Sequence, residues 1–303
     1  MYDIIIIGAG TAGLTAAIYG ARNNHKALVL EATVPGGQII NTQEIENYPA
    51  ILGISGYDYS MTLKKQATSL GAEYRRERVS SVDLSDEKKL IYTNKNTYQA
   101  KTVIIAAGAM PKKLGLKEDD EYTSKGISYC ATCDGNFFRN KDVAVVGGGN
   151  TAFEDALFLS NICTKVYLIH RRQGFRAEMH SVNALKQRKN VELVLDSVVS
   201  KIMGEGKIEA IEVENVVDKS VKSINVSGLF VAIGQIPQSE MFDDNVFLKN
   251  ADGYALVSED TKTNIAGVYV AGDIREKPLR QLITAAADGA TAAFMASSYL
   301  NLL

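Results

Sequence analysis

The chain has 303 residues, 46% hydrophobic and 22% charged, which is enough core-forming material for two domains of ordinary size. Its 33 basic and 35 acidic residues leave a net charge of -2, so nothing electrostatic points to a nucleic acid or an anionic membrane as partner. No stretch approaches the roughly 18 apolar residues of a membrane span. The start, Met1-Tyr2-Asp3 before a short apolar run, is unlike a secretory signal, and a cytoplasmic protein is expected.

The first predicted strand, Tyr2 to Ile7, runs into Gly8-Ala9-Gly10-Thr11-Ala12-Gly13. A helix-compatible stretch from Leu14 to Asn23 and a second strand from Lys26 to Leu30 follow. Strand, G-x-G-x-x-G turn, helix and parallel strand make up the dinucleotide-binding βαβ unit. Gly8 permits the tight turn, Gly10 lets backbone amides approach a diphosphate, and Gly13 stays small for helix-strand packing. Thr11 and Ala12 belong to the turn, and the helix that follows favours an anion with its oriented N-terminal amides. Glu31 stands 21 residues after Gly10 and can accept hydrogen bonds from both ribose hydroxyls of an adenosine.

Farther along, Val103 to Pro111 reads as an apolar strand ending in A-x-G-x-x-P, stopped by Gly108 and Pro111. Cys130-Ala131-Thr132-Cys133-Asp134 comes next. A zinc site takes about four N or S ligands. Only Cys163, His25, His170 and His180 remain, none at ligand spacing, so no metal is expected. A dithiol/disulfide couple is the reading that chemistry favours, with inert packing as the alternative. Cys163 follows an apolar helix and reads as a small buried hydrophobe. Asp134, beside Cys133, is the candidate general acid for a departing thiolate, provided burial raises its pKa. The competing role is a turn or helix cap before Gly135-Asn136.

The strand-turn-helix-strand pattern then repeats. Lys141 to Val146 runs into Gly147-Gly148-Gly149-Asn150-Thr151-Ala152, a helix-compatible stretch from Phe153 to Asn161, and a strand from Lys165 to Ile169. His170 stands 21 residues after Gly149, so it corresponds to Glu31. The acid is gone. Arg171, Arg172 and Arg176 stand there instead, and their guanidinium groups suit a 2′-phosphate. The first unit therefore suits FAD and the second NADPH; a solvated helix start is the alternative for the arginines.

Leu229 to Pro237 repeats the A-x-G-x-x-P strand, so the two copies bracket the second unit. The expected fold is α/β, with two Rossmann-like dinucleotide-binding domains, the second inserted into the first. Residues 1–112 and 238–303 form the expected FAD domain, and 113–237 the NADPH domain with the cysteine pair. Gly267 to Asp273 (a strand with an acid at its end), Arg280-Gln281 and a small-residue helix from Ala285 to Ala293 complete the outer domain.

Over essentially its whole length the chain resembles the low-molecular-weight bacterial thioredoxin reductases. The resemblance rests on G-A-G-T-A-G at Gly8 to Gly13, G-G-Q at Gly36 to Gln38 and E-N-Y-P at Glu46 to Pro49. It extends to C-A-T-C-D-G from Cys130, G-G-G-N-T-A from Gly147, H-R-R-x-x-x-R from His170, and A-G-D with R-Q between Ala271 and Gln281. It implies a homodimer that passes electrons from NADPH through FAD and the Cys130/Cys133 disulfide to thioredoxin. It further implies that Cys133 faces the flavin, Cys130 attacks thioredoxin and Asp134 is the acid. Gly36, Gly37, Gln38, Asn47, Gly108, Gly272, Asp273, Arg280 and Gln281 would line FAD. Gly147, Gly149, Asn150, Thr151, Ala152, His170 and the three arginines would hold NADPH. Two features depart from the family pattern: Ala50 where glycine usually follows N-Y-P, and the tyrosine-rich Gly56-Tyr57-Asp58-Tyr59. Other readings are the same core serving a peroxidase system or a small-molecule dithiol, a ferredoxin-type NADP reductase, which the cysteine pair argues against, and a non-catalytic redox sensor.

Overall fold

The structure, a computed structural model, describes every residue except Gln43, Asp86 and Glu87. It divides into two compact units, Met1–Met110 with Ile236–Leu303, and Pro111–Gln235. In chain order the first unit opens with β1 (Tyr2–Ile7), α1 (Thr11–Arg22), β2 (Ala27–Glu31), α2 (Gly56–Ser69), β3 (Glu73–Arg76), β4 (Val79–Asp83), β5 (Lys89–Thr93), β6 (Thr97–Ile105) and β7 (Ala109–Pro111). The second holds α3 (Asp119–Tyr122), β8 (Ile127–Ser128), α4 (Ala131–Asp134), β9 (Asp142–Val146), α5 (Asn150–Ser160), β10 (Lys165–Ile169), α6 (Met179–Lys186), β11 (Val191–Val194), β12 (Ser197–Met203), β13 (Ala210–Asn215), β14 (Val221–Asn225) and β15 (Gly228–Val231). The chain returns through β16 (Gln235–Pro237) to β17 (Val268–Val270) and α7 (Leu282–Leu300).

The first unit's sheet runs β3-β2-β1-β6-β5-β4, with β17 also on β6. Its centre is parallel: β1 pairs with β2 and β6, and β6 with β17. Successive strand residues point to opposite faces, so a strand covered on both sides must be apolar throughout. In β1, Ile4 and Ile6 pack with Leu14, Ala16 and Ala292 beneath the helices, whereas Ile5 and Ile7 pack with Leu28, Val103 and Phe247 on the other face. The second unit repeats this with a parallel sheet, β11-β10-β9-β15-β8, beside an antiparallel sheet, β12-β13-β14. Val143 and Val145 of β9 face Phe153 and Leu159 of α5, while Ala144 faces Ile211 and Val213 of the small sheet.

The A-x-G-x-x-P segments do more than stop a strand. At Gly108 (φ 71°) and Gly234 (φ 105°) the backbone enters the left-handed region, then resumes as the short strands β7 and β16. The helix expected over Ala285 to Ala293 begins at Leu282 and ends at Leu300. Gln281 and Thr284 form a reciprocal capping box at its start, a signal that small-residue content does not carry.

Ala50 takes the left-handed conformation that explains the family's glycine, with φ of 68°. An L-residue there costs roughly 1–2 kcal/mol, less the entropy that glycine adds to the unfolded chain. Ala50→Gly is therefore expected to stabilise the protein by about 0.5–1 kcal/mol, read from the midpoint of urea unfolding. A lower midpoint would show that backbone strain at this exposed position is unimportant.

Candidate active site

The first glycine turn is shaped by contacts no side chain could share. A Cβ on Gly8 (φ 106°) would lie 2.3 Å from the carbonyl oxygen of Ala106, and one on Gly13 would lie 1.9 Å from that of Gly8. Gly10 caps α1 without a side-chain bond, and no acid stands in the helix's first turn, at Thr11, Ala12 and Gly13. Glu31, at the end of β2, accepts from the backbone N–H of Ala9 (2.9 Å) and of Thr33 (2.9 Å). The Gly36 N–H donates to Ala9 (2.8 Å), and Gly36 and Gly37 both have positive φ. Gln38 Nε2 donates to the Ala109 carbonyl (3.2 Å), just after Gly108. Gly272 backs onto the turn so closely that a Cβ would sit 2.9 Å from that of Ala12. Arg280 donates to the Asp273 carbonyl and stacks 4.0 Å over Tyr254, while Asn47 donates to Gln281 (3.0 Å).

Asp273 Oδ1 is buried and has no hydrogen-bond partner among the described residues. Burial raises this carboxyl, with Lys277 and Arg280 pulling the other way. A buried acceptor is costly unless something bonds to it. That orphaned oxygen beside a glycine-walled turn fits a dinucleotide such as FAD. In the tyrosine-rich segment, Tyr59 is buried against Tyr48, and burial pushes its hydroxyl up to about 12.

The second turn reproduces the first. A Cβ on Gly147 would meet the Ala232 carbonyl at 2.4 Å, the counterpart of the contact between Gly8 and Ala106. Gly149 caps α5, again with no side-chain bond, and Asn150, Thr151 and Ala152 open the helix. The segment after β10 folds back onto this turn. The Arg176 N–H donates to the Gly148 carbonyl (2.8 Å), and the Glu178 N–H donates to Asn150 Oδ1 (2.8 Å). Phe175 packs between Phe153 (4.8 Å) and His170 (5.5 Å). The His170 ring covers Gly148 and is held below the usual histidine range, first by burial and then by the arginines. Arg171, Arg172 and Arg176 are exposed. None forms an ion pair among the described residues. Three free guanidinium groups at the mouth of a glycine turn fit a nucleotide bearing an extra phosphate. Phe175 had no sequence signal beyond its place in the loop.

Cys130 and Cys133 form a disulfide, with Cα atoms 5.3 Å apart, at the start of the single turn α4. The N–H groups of Cys133 and Asp134 both donate to the Cys130 carbonyl. Ser128, buried at the end of β8, joins the parts. Its hydroxyl accepts from the Cys130 N–H (3.1 Å) and donates to Asp134 Oδ2 (2.6 Å). Burial pushes the Asp134 carboxyl up, and the Ser128 hydroxyl partly offsets this. The Asp134 side chain makes no capping bond to the 3-10 turn that follows. Cys163 is free and buried, with a thiol pushed up to about 11 by burial, which keeps it out of thiolate chemistry.

A general acid acts while protonated, so activity falls as pH rises through its pKa. Ser128→Ala removes a donor to the ionised form and raises that pKa further. The alkaline limb of the disulfide-reduction profile should move to higher pH, and Ser128→Thr should restore it. An unmoved limb in Ser128→Ala would separate Asp134 from proton delivery.

The chain matches the pyridine nucleotide-disulphide oxidoreductase family over residues 2–290. It is 42% identical to a 34.2 kDa protein in the rubredoxin operon of Clostridium pasteurianum, across 99% of this chain and 97% of that protein. It is 40% identical to a thioredoxin reductase of Peptoclostridium acidaminophilum, across 99% and 98%. The crystal structure of thioredoxin reductase from Streptococcus pyogenes superposes with a TM-score of 0.94 at 38% identity, covering 100% and 99% of the two chains. The two glycine turns and the cysteine pair fall within the matched span, and the chain belongs to the pyridine nucleotide-disulphide oxidoreductase family.

Proposed function

We propose that the protein is a thioredoxin reductase, taking electrons from NADPH and delivering them, through bound FAD and the Cys130/Cys133 disulfide, to thioredoxin. The observation that carries this reading is the cysteine disulfide tied through Ser128 to a buried carboxyl, in a chain with two glycine turns of different charge character. The first unit would hold FAD through Gly8 to Gly13, Glu31, Gly36 to Gln38, Asn47, Gly108, Gly272, Asp273, Arg280 and Gln281. The second would hold NADPH through Gly147, Gly149 to Ala152, His170 and the three arginines. FAD, when bound, would supply the two-electron relay between nicotinamide and disulfide.

The protein's own groups carry the second half-reaction. Two electrons and two protons convert the disulfide to a dithiol, with Asp134 holding one proton near Cys133. The Cys130 thiolate attacks a substrate disulfide, forming a mixed disulfide and releasing one substrate thiol. The Cys133 thiolate then attacks the Cys130 sulfur, which re-forms the internal disulfide and frees the second substrate thiol. The named relatives support thioredoxin as the partner, and the family resemblance supports a cytoplasmic homodimer. No helix among the described residues is long and apolar enough to cross a membrane. NADPH oxidation with thioredoxins from the same organism tests the reading. Turnover with a peroxidase component or a small dithiol, and none with thioredoxin, would transfer the chemistry to another substrate.

A further inference from the structure

The first unit buries three charges that neither glycine turn uses. Asp288, on α7, accepts from Arg275 Nη1 through Oδ1 (2.6 Å) and from Lys277 Nζ through Oδ2 (2.7 Å). The same Oδ2 accepts the backbone N–H of Gly272 (2.9 Å). Arg275 Nη2 donates to the Ser258 carbonyl, and the three side chains are 4%, 11% and 10% exposed for Arg275, Lys277 and Asp288. Two buried cations share one carboxylate. Such an arrangement is a poor source of stability, because desolvation consumes the Coulomb gain.

Its location suggests another use. The Lys277 ammonium and the Gly272 N–H share Asp288 Oδ2, which sets that ammonium beside the residue preceding Asp273, and Lys277 lowers the Asp273 carboxyl; yet among the described residues Asp273 Oδ1 has no hydrogen-bond partner. A buried carboxylate beside a free ammonium would pair with it. The neighbouring cation is bound by Asp288 instead.

We propose that Asp288 is a positioning residue that sequesters Lys277 and Arg275, pins Gly272, and thereby keeps Asp273 Oδ1 available to FAD. This rests on the reading that the first unit holds FAD. Without the Asp288 charge, Lys277 turns to Asp273 and occupies the acceptor, and the Gly272 turn loses its anchor.

The test is titration of the FAD-free protein with FAD, followed by quenching of flavin fluorescence, with the melting temperature of the FAD-free form measured alongside. Asp288→Asn should weaken FAD binding by at least about tenfold. Adding Lys277→Met to it should recover affinity to within about threefold of the unmodified protein, because the competing ammonium is gone. A merely structural role predicts the opposite for the double variant, since a second buried group is lost. Should Asp288→Asn fail to fold, Lys277→Met alone, which keeps the pairing of Asp288 with Arg275 and Gly272, should bind FAD at least as tightly as the unmodified chain. Unchanged affinity in folded Asp288→Asn, or no recovery in the double variant, overturns the proposal. An unmodified protein that binds no FAD would instead remove the flavin reading itself.

Discussion

Cys130→Ser and Cys133→Ser are each expected to abolish thioredoxin reduction, lowering turnover by at least about a thousandfold, while NADPH still bleaches the protein's yellow colour. The two outcomes separate because reduction by NADPH needs no thiol, whereas passing electrons to a protein disulfide needs both. One thiolate attacks and the other resolves, and serine does neither at neutral pH. No second thiol can substitute, since Cys163 is buried and its pKa is pushed up to about 11. The variants also distinguish the two sulfurs. With Cys130 as the attacking thiol, Cys133→Ser should trap thioredoxin as a stable mixed disulfide visible on a non-reducing gel, and Cys130→Ser should trap none. Full turnover by either single variant would end the dithiol assignment.

Parts of this site were legible in the sequence because their constraints are local. The first glycine of each turn stands where a Cβ would strike a carbonyl, Ala106 for Gly8 and Ala232 for Gly147, so the sequence shows the contact directly. The repeat of A-x-G-x-x-P was visible for the same reason, since Ala106 and Ala232 belong to it. The cysteine pair is closed by a single helical turn, and spacing alone suggests that. Ser128 was not legible. It sits six residues before Asp134, and only the bend from β8 into α4 brings its hydroxyl to the carboxyl. Asp288 was hidden more deeply. It lies within a run of small helix residues, and its partners Arg275 and Lys277 follow β17, so the cluster exists only once α7 packs beside that strand. The tyrosines of α2 were visible as unusual, but that Tyr59 is buried against Tyr48 depends on how α2 packs.

Nucleotide choice should depend on the loop after β10. Replacing Arg171 and Arg172 together by glutamine is expected to lower kcat/KM for NADPH by roughly a hundredfold, mostly through KM, and to change kcat/KM for NADH by less than about threefold. The size follows from two exposed guanidinium groups, each able to make charge-assisted bonds to a dianionic phosphate that NADH lacks. Selectivity needs those groups held in place, and the loop is pinned at several points. Arg176 donates its N–H to Gly148, Glu178 donates its N–H to Asn150, and Phe175 packs between Phe153 and His170. None of these contacts uses the Arg171 or Arg172 side chain, so removing the two arginine heads leaves the scaffold and the diphosphate turn intact. Steady-state kinetics with both nucleotides, at fixed ionic strength because phosphate contacts are screened by salt, checks the expectation. Equal losses for NADPH and NADH would mean that the arginines support the loop, and equal rates with both nucleotides in the unmodified protein would remove the phosphate-binding role altogether.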